Sequence, residues 1–153
     1  MEFNSVEPRL STYLHAKACR NGTPLAGNFE LTARCNFDCK MCYVHLSAQE
    51  QQRRGRELTA DEWLTIAETA RRQGMLFLLL TGGEPLLRSD FRYLLTELKK
   101  MGLLVSVNSN GSLIDKDWLD FSVMSRLSGS TLPCTAAETK PTSAYAAIRP
   151  LIG

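Results

Sequence analysis

The pattern of hydrophobic positions predicts three short strands. In "NFELTA", residues 28 to 33, apolar and polar residues alternate with the two-residue period of a half-buried strand. "MLFLLL", residues 75 to 80, is a continuous apolar run between glycines, as expected for a strand buried on both faces of a parallel sheet. "LLVSVNSN", residues 103 to 110, predicts the third strand.

Helical periodicity follows or precedes each of these strands. Thr59 stands three residues before Glu62, which is the pattern of a capping box at a helix start. The apolar stripe behind it consists of Trp63, Ile66, Ala67 and Ala70. A second helix is predicted to begin at a cap on Ser89 or Asp90, and its stripe consists of Phe91, Leu94, Leu95 and Leu98. "DKDWLDF", residues 115 to 121, predicts the start of a third helix.

Three strand-and-helix units in succession predict an α/β fold with parallel strands and helices outside the sheet, either barrel-like or doubly wound. Residues 28 to 121 form this predicted core, and residues 1 to 27 precede it as an N-terminal extension. "SAQEQQRRGREL", residues 47 to 58, has no apolar period and is interpreted as a linker or a frayed helix. Residues 122 to 153 lose all periodicity, so we predict an aberrant or disordered tail.

A frameshift after Phe121 would explain this tail. If Phe121, Ser122 and Val123 are encoded TTT-TCC-GTG, one restored T permits codons for an alternating segment, "RINITLYGG", followed by a helix start. A fourth strand and helix would continue the preceding pattern. We therefore expect the chain to be a frameshifted or truncated fragment of a longer protein.

Three of the five cysteines lie close together, in "ARCNFDCKMCY". They are Cys35, Cys39 and Cys42, whereas Cys19 and Cys134 are isolated and are expected to be bystanders. A zinc knuckle or an ordinary four-iron cluster takes four protein ligands. A group of three therefore implies either a fourth ligand elsewhere or a coordination site that is left open.

Two more motifs follow the second and third strands. In "TGGEP", Gly82 and Gly83 permit close backbone approach to a ligand, Glu84 brings a charge to the same region, and Pro85 stiffens the exit. "NSNG", which contributes Asn108 and Asn110, is first of all a turn signal. Ligands of parallel α/β folds bind at the carboxyl ends of the strands, so all three loops are expected to meet there.

Composition and charge indicate which partners and compartment to expect, but they do not indicate a function. The net charge of +2 gives no reason to expect nucleic acid or a membrane as a partner. The longest apolar run has six residues, whereas a membrane-spanning helix needs about 20. The N-terminus has no basic segment followed by an apolar one, so we predict a cytoplasmic protein. In that reducing compartment, clustered cysteines are expected to hold metal or to do redox chemistry.

Over about residues 25 to 120 these motifs together resemble the radical S-adenosylmethionine (SAM) superfamily, with C-x3-C-x2-C, GGE and S/T-N-G-like loops after successive strands. The resemblance implies the N-terminal half of a partial (β/α)6 TIM-like barrel. It also implies that Cys35, Cys39 and Cys42 bind three irons of a [4Fe-4S] cluster, while SAM binds the fourth. Reduction then cleaves SAM to a 5′-deoxyadenosyl radical.

The resemblance extends to the remaining site residues and partners. The backbone at Gly82, Gly83 and Glu84 would hold the amino group of SAM, and Met41, before the third cysteine, would line the adenine. Pro85, Asn108 and Asn110 complete the predicted cofactor-binding set. A peptide or protein substrate and an electron donor such as a flavodoxin or ferredoxin are expected. The isolated 153-residue chain is expected to be inactive, because the later strands of the family's barrel have no counterpart in it.

A zinc-binding module is the alternative interpretation. Cys35, Cys39 and Cys42 could bind zinc together with His45, in a structural or interaction domain without chemistry. Such a module explains neither the GGEP turn nor the strand that precedes each loop.

Overall fold

The computed structural model describes residues 10–40, 42–44, 46, 48–124 and 130–131. The described chain alternates helices and strands. In order, the elements are α1 (Leu10–Asn21), β1 (Ala26–Glu30), α2 (Ala48–Arg54), α3 (Ala60–Arg72), β2 (Phe77–Thr81), a single 3-10 turn (Pro85–Leu87), α4 (Phe91–Lys100), β3 (Leu104–Asn108), α5 (Lys116–Met124) and β4 (Ser130–Thr131).

The strands form one open parallel sheet in the order β1-β2-β3-β4. The three strands that the hydrophobic pattern predicted are all present, which confirms an α/β fold with parallel strands. The short strand β4 was not predicted. Its Ser130 and Thr131 pair with Val107 and Asn108, so the outer edge of β3 has a partner at its carboxyl end.

The hydrophobic core lies on one face of the sheet. Leu78 and Leu80 of β2 are fully buried there, beneath helices α3 and α4. Phe77 and Leu79, which alternate with them, are only half-buried. The prediction that this strand is buried on both faces is therefore wrong for the described residues, because α3 and α4 cover one face and the other is left largely uncovered apart from a contact of α1 with Phe77. The opposite face borders a groove of about 400 Å³.

Helix α3 begins as predicted. The Thr59 hydroxyl accepts a hydrogen bond from the Glu62 backbone N–H, and the Glu62 carboxylate accepts one from the Thr59 N–H at 2.8 Å, which forms the capping box. Ala67 is fully buried, and Trp63 packs against the core. Ile66 is 41% exposed, so its predicted place in the buried stripe is wrong.

Helix α4 has the buried stripe that its sequence predicted. Phe91, Leu94, Leu95 and Leu98 are each at most 2% exposed. Asp90 occupies the N-cap position, but its side chain makes no capping hydrogen bond because its carboxylate pairs with Arg88. Helix α5 starts within the predicted segment and continues to Met124, three residues past the point where the periodicity fades.

Two helices complete the description. Helix α1 lies in the predicted N-terminal extension and was not predicted; its His15 ring stacks on Phe77 at 5.6 Å between centroids. Helix α2 occupies the polar segment before Thr59 and agrees with the frayed-helix interpretation. Within the residues that the structure describes, no helix is long and apolar enough to cross a membrane.

Candidate functional site

The loops that follow β1 and β2 are joined by backbone hydrogen bonds at the carboxyl edge of the sheet. Gly83 donates its N–H to the Thr32 carbonyl at 2.7 Å, and Glu84 donates to the Arg34 carbonyl at 2.8 Å. The strand ladder thus continues beyond the strands themselves. This contact fixes the GGE loop against residues 32 to 34, which lead directly into Cys35.

The glycine pair is required by this close contact. Gly82 has a φ of +139°, and a Cβ there would collide with the Thr32 carbonyl oxygen. A Cβ at Gly83 would collide with the Arg34 carbonyl oxygen. In the described chain, the missing side chains therefore make room for the backbone that carries the cysteine loop.

Glu84 is buried and connects the GGE loop to the loop after β3. Its carboxylate accepts hydrogen bonds from the Ser109 hydroxyl at 2.9 Å, the Leu86 N–H at 3.0 Å and the Asn110 N–H at 2.7 Å. Pro85, also fully buried, begins the 3-10 turn that follows. The charge that the motif was expected to bring to this region is present, and it accepts hydrogen bonds from the neighbouring β3 loop.

The loop after β3 reaches back to the cysteine loop through side-chain amides. Asn110 Nδ2 donates to Asn36 Oδ1 at 2.8 Å, and it lies 3.9 Å from Cys35 Sγ. Ser112 donates its N–H and its hydroxyl to Asn110 Oδ1. Asn108 lies elsewhere: it is half-buried at the end of β3 and lines the groove on the uncovered face of the sheet.

The three clustered cysteines have different environments. Cys35 is half-buried, and its sulfur accepts a hydrogen bond from the Phe37 N–H at 3.4 Å. Cys39 and Cys42 are exposed and share a turn in which the Cys42 N–H donates to the Cys39 carbonyl at 3.0 Å. Cys35, Cys39, Cys42 and Cys19 are all free thiols.

The structure places the thiols on one loop without assembling a metal site. In the described part of the chain, no three His, Cys, Asp or Glu side chains are arranged to hold a metal ion. Met41, His45 and Cys134 lie outside the described residues. The predicted adenine contact of Met41 and the predicted zinc ligand His45 therefore stay predictions.

A buried ionic network behind the cysteine loop was not predicted. Arg88, whose side chain is 5% exposed, pairs with Asp90 at 2.7 Å and donates to the carbonyls of Leu31 and Leu58. Glu57 lies 3.6 Å from Arg88 and also forms an ion pair with Arg34 at 2.8 Å. The network therefore links the end of β1, the start of α3 and the segment after GGEP.

The charges of this network have shifted pKa values. Burial alone would raise the pKa of Glu57, but hydrogen bonds from Arg34 and Thr32 outweigh that effect and leave it below the usual value. The hydrogen bond from Arg88 holds the pKa of Asp90 below its ordinary value. Arg34 directly precedes Cys35, but nothing in a single sequence indicates that Glu57, Arg88 and Asp90 gather behind it.

A second open cavity, of about 580 Å³, lies beside the cysteine loop. Glu30, Tyr43, Arg56 and Glu57 contribute to its lining. The Tyr43 hydroxyl donates to Glu30 at 3.3 Å, and the negative charge of Glu30 raises the pKa of Tyr43. The Tyr43 ring is 84% exposed, so its face is accessible to a ligand.

The sequence of this chain matches a family model over most of the described core. Residues 29–127 match the model of the Radical SAM superfamily, which is more than half of the chain. The chain belongs to the radical SAM superfamily. Members of this superfamily use a [4Fe-4S] cluster and SAM. The matched region contains all three clustered cysteines and the GGE and NSNG loops.

Relatives within the superfamily include enzymes with different substrates. PqqA peptide cyclase of Rhodopseudomonas palustris is 35% identical over 98 residues, which cover 64% of this chain and 25% of the relative. A probable GTP 3′,8-cyclase of Pyrobaculum aerophilum is 35% identical over 82 residues, which cover 54% of this chain and 26% of the relative. The chain thus spans about a quarter of the length of these curated relatives.

Solved structures of SuiB from Streptococcus suis share the fold. SuiB of Streptococcus suis bound to S-adenosylmethionine has a TM-score of 0.55 at 21% identity, over 83% of this chain and 29% of SuiB. SuiB bound to its precursor peptide SuiA has a TM-score of 0.55 at 22% identity, over 79% of this chain and 29% of SuiB. Together with the family match, this likeness in fold confirms the predicted fold class, part of a TIM-like barrel.

Proposed function

We propose that this chain carries the cluster-binding and cofactor-binding edge of a radical SAM enzyme. The observation that supports this most is the joining of three loops at one edge of a parallel sheet in a chain of this superfamily. The core extends over residues 28 to 121 in this proposal, with residues 1 to 27 as an extension and 122 to 153 as an aberrant tail.

The donor set fits a [4Fe-4S] cluster. Cys35, Cys39 and Cys42 are free thiols on one loop, and thiolates are the ligands that iron–sulfur clusters take. In the proposal these three thiolates bind three irons. Cys39 and Cys42, on their exposed turn, would be brought together with Cys35 only when the cluster binds, because a metal site rarely preexists without its metal.

The GGE loop fits the amino-acid end of SAM. The N–H groups of Gly83 and Glu84 are already used within the chain. Among the described residues, no backbone N–H donates to the carbonyls of Gly82 and Gly83, so these oxygens are left to accept hydrogen bonds from an ammonium group. Met41 would line the adenine, and Pro85, Asn108 and Asn110 complete the proposed cofactor-binding set.

The chemistry is that of a one-electron reduction. A cluster held by Cys35, Cys39 and Cys42 would supply the single electron needed for reductive cleavage of SAM to methionine and a 5′-deoxyadenosyl radical, which would then abstract hydrogen from the substrate. The residues of this chain hold the reactants in place. Glu84 fixes the β3 loop against the GGE loop, and the Arg88 network fixes the start of the cysteine loop.

A peptide substrate is favoured for the protein to which this chain belongs. The relatives include PqqA peptide cyclases from four organisms, and SuiB has been solved with a precursor peptide. A one-electron donor such as a flavodoxin or ferredoxin is proposed as the reductant, and the cytoplasm as the compartment. The isolated chain is proposed to be inactive. Leu104 and the groove on the uncovered face lie open to solvent, so water would reach any radical formed there.

Metal analysis tests the proposal directly. The chain is reconstituted anaerobically with iron and sulfide, and iron, sulfide, zinc and visible absorption are measured. Replacing Cys35, Cys39 or Cys42 by Ala should abolish the absorption, whereas Cys19→Ala, as the matched control, should retain it. A colourless chain that binds one zinc would contradict the proposal and support the zinc alternative, and equal loss in the control would show a wrong ligand set.

Activity is tested against a chain with the single T restored in its gene. Both proteins are assayed anaerobically with dithionite for 5′-deoxyadenosine formation. The restored chain should form it and the 153-residue chain should not. Equal rates would overturn the proposed inactivity.

A further inference from the structure

Cys35 is distinguished from the other two proposed ligands by the donors that surround it. Its sulfur accepts the Phe37 N–H at 3.4 Å and lies 3.9 Å from Asn110 Nδ2. Among the described residues, no hydrogen bond reaches the sulfur of Cys39 or Cys42, and both are exposed. Cys35 is thus the one thiol of the three that is held by a neighbouring loop.

The orientation of the Asn110 amide is determined by its other contacts. Two donors of Ser112, its N–H at 2.9 Å and its hydroxyl at 2.7 Å, both approach Asn110 Oδ1. An amide nitrogen cannot accept these bonds, so the oxygen must face Ser112 and Nδ2 must face the cysteine loop. Asn36 Oδ1 takes one Nδ2 hydrogen at 2.8 Å, which leaves the second for the sulfur of Cys35.

The backbone of Asn110 is held as firmly as its side chain. Its N–H donates to the buried carboxylate of Glu84 at 2.7 Å. The Ser109 hydroxyl, which also donates to Glu84, accepts the Gly111 N–H at 3.0 Å. The position of Nδ2 relative to Cys35 is therefore set by contacts at both the backbone and the side chain of Asn110.

We propose that Asn110 tunes the reduction potential of the cluster through its hydrogen bond to the sulfur of Cys35. This inference rests on the proposed function. A donor beside a ligand sulfur stabilises the extra negative charge of the reduced cluster, and hydrogen bonds to the sulfurs are among the factors that set cluster potentials. Asn110 thereby makes the cluster easier to reduce. It is a positioning and tuning residue and does not react.

The test is a redox titration of the full chain after anaerobic reconstitution, followed by electron paramagnetic resonance. Asn110→Ala should retain iron and sulfide but lower the midpoint potential by about 59 mV. For a one-electron couple this is about a tenfold decrease in the equilibrium constant for reduction. Asn110→Asp keeps the oxygen that Ser112 contacts and loses the donor, so its potential should fall at least as far.

Asn36→Ala is the matched control. It removes the contacts of Asn36 with both Asn110 and Ser112, and thus the side-chain link between the two loops, but leaves the Asn110 donor beside the sulfur. Its midpoint potential should therefore stay close to that of the parent chain. An unchanged potential in Asn110→Ala would overturn the inference. An equal fall in Asn36→Ala would overturn it as well, because the link between the loops would then be the cause.

Failure of the inference is separable from failure of the proposed function. If the parent chain binds no iron and sulfide, the proposed function fails and the inference fails with it. If the cluster forms and only the potentials disagree, the inference alone is wrong. Should Asn110→Ala not retain its cluster, Asn110→Asp supplies the measurement, because it keeps the contacts to Ser112.

Discussion

Replacing Glu84 by Gln exchanges one buried carboxylate oxygen for an NH2 group with almost no change in shape. The carboxylate accepts three hydrogen bonds, of which Oε1 takes those from Leu86 and Ser109 and Oε2 takes that from the Asn110 N–H. In Glu84→Gln the amide oxygen can keep the first pair. Its NH2 group then faces the Asn110 N–H, donor against donor, at the place of a 2.7 Å bond.

The cost follows from two unsatisfied donors, because the Asn110 N–H loses its acceptor and the new NH2 group has none. Each unsatisfied buried group costs about 1–3 kcal/mol, so Glu84→Gln should lower the free energy of unfolding by about 2–6 kcal/mol. Rotating the amide does not help, because the NH2 group would then face the Leu86 N–H. A domain of ordinary stability has about 5–15 kcal/mol in total, so the loss should be easy to measure.

Urea unfolding followed by far-ultraviolet circular dichroism measures this change. The midpoint for Glu84→Gln should fall with little change in the denaturant slope. Glu30→Gln, which alters an exposed carboxylate at the end of β1, is the control and should leave the midpoint nearly unchanged. Equal midpoints for the two variants would refute the reasoning, since Glu84 would then not be a buried acceptor for the β3 loop.

Three further predictions concern the same edge of the sheet and the first capped helix. Gly83→Val should lower both cluster content and SAM binding, measured by iron analysis and calorimetry, because its side chain would displace the Arg34 backbone; normal iron with weak SAM binding would contradict this. Arg88→Met should cost about 3 kcal/mol in urea unfolding because it removes a buried ion pair, whereas Arg34→Met, half-exposed, should cost less than about 1 kcal/mol. The hydrogen bond from Arg56 lowers the pKa of Glu62 from 4.5 to about 2, so its stabilising effect is present above about pH 4.5 and is lost as pH falls towards 2. Thermal melts of Glu62→Gln should show a weaker pH dependence in that range, and an unchanged dependence would contradict the assignment.

Periodicity was sufficient to predict the elements that depend on local burial. The stripe of α4 and the capping box at Thr59 are both present, because helix geometry alone places such residues together. The same reasoning failed for Ile66 and for the second face of β2. Their exposure depends on which helices cover the sheet, and a pattern along the chain does not contain that information.

For the candidate site, too, one part could be predicted from the sequence and another could not. The motifs predicted which three loops form the site, and the structure joins these loops at one edge, as a parallel sheet requires. The specific partners could not be predicted. Glu84 was expected to bring a charge to this edge, but its partners in the β3 loop were not predicted. Arg88 showed no sequence signal, although it is buried and has several partners. A charge in a sequence indicates neither its depth nor the group that neutralises it.

The pairing of β1 with β2 also determines when the start of the cysteine loop can be joined to the GGE loop during synthesis. Ala26 pairs with Phe77, so β1 must wait for about 50 further residues before it has a partner. At the usual rate of about 5–20 residues per second, this delay is roughly 3–10 s. For most of that interval Cys35, Cys39 and Cys42 have been synthesised while the GGE loop has not. Oxidation of Cys35, the half-buried thiol of the three, therefore competes directly with folding, and synthesis under low oxygen should increase the fraction of protein that retains this free thiol.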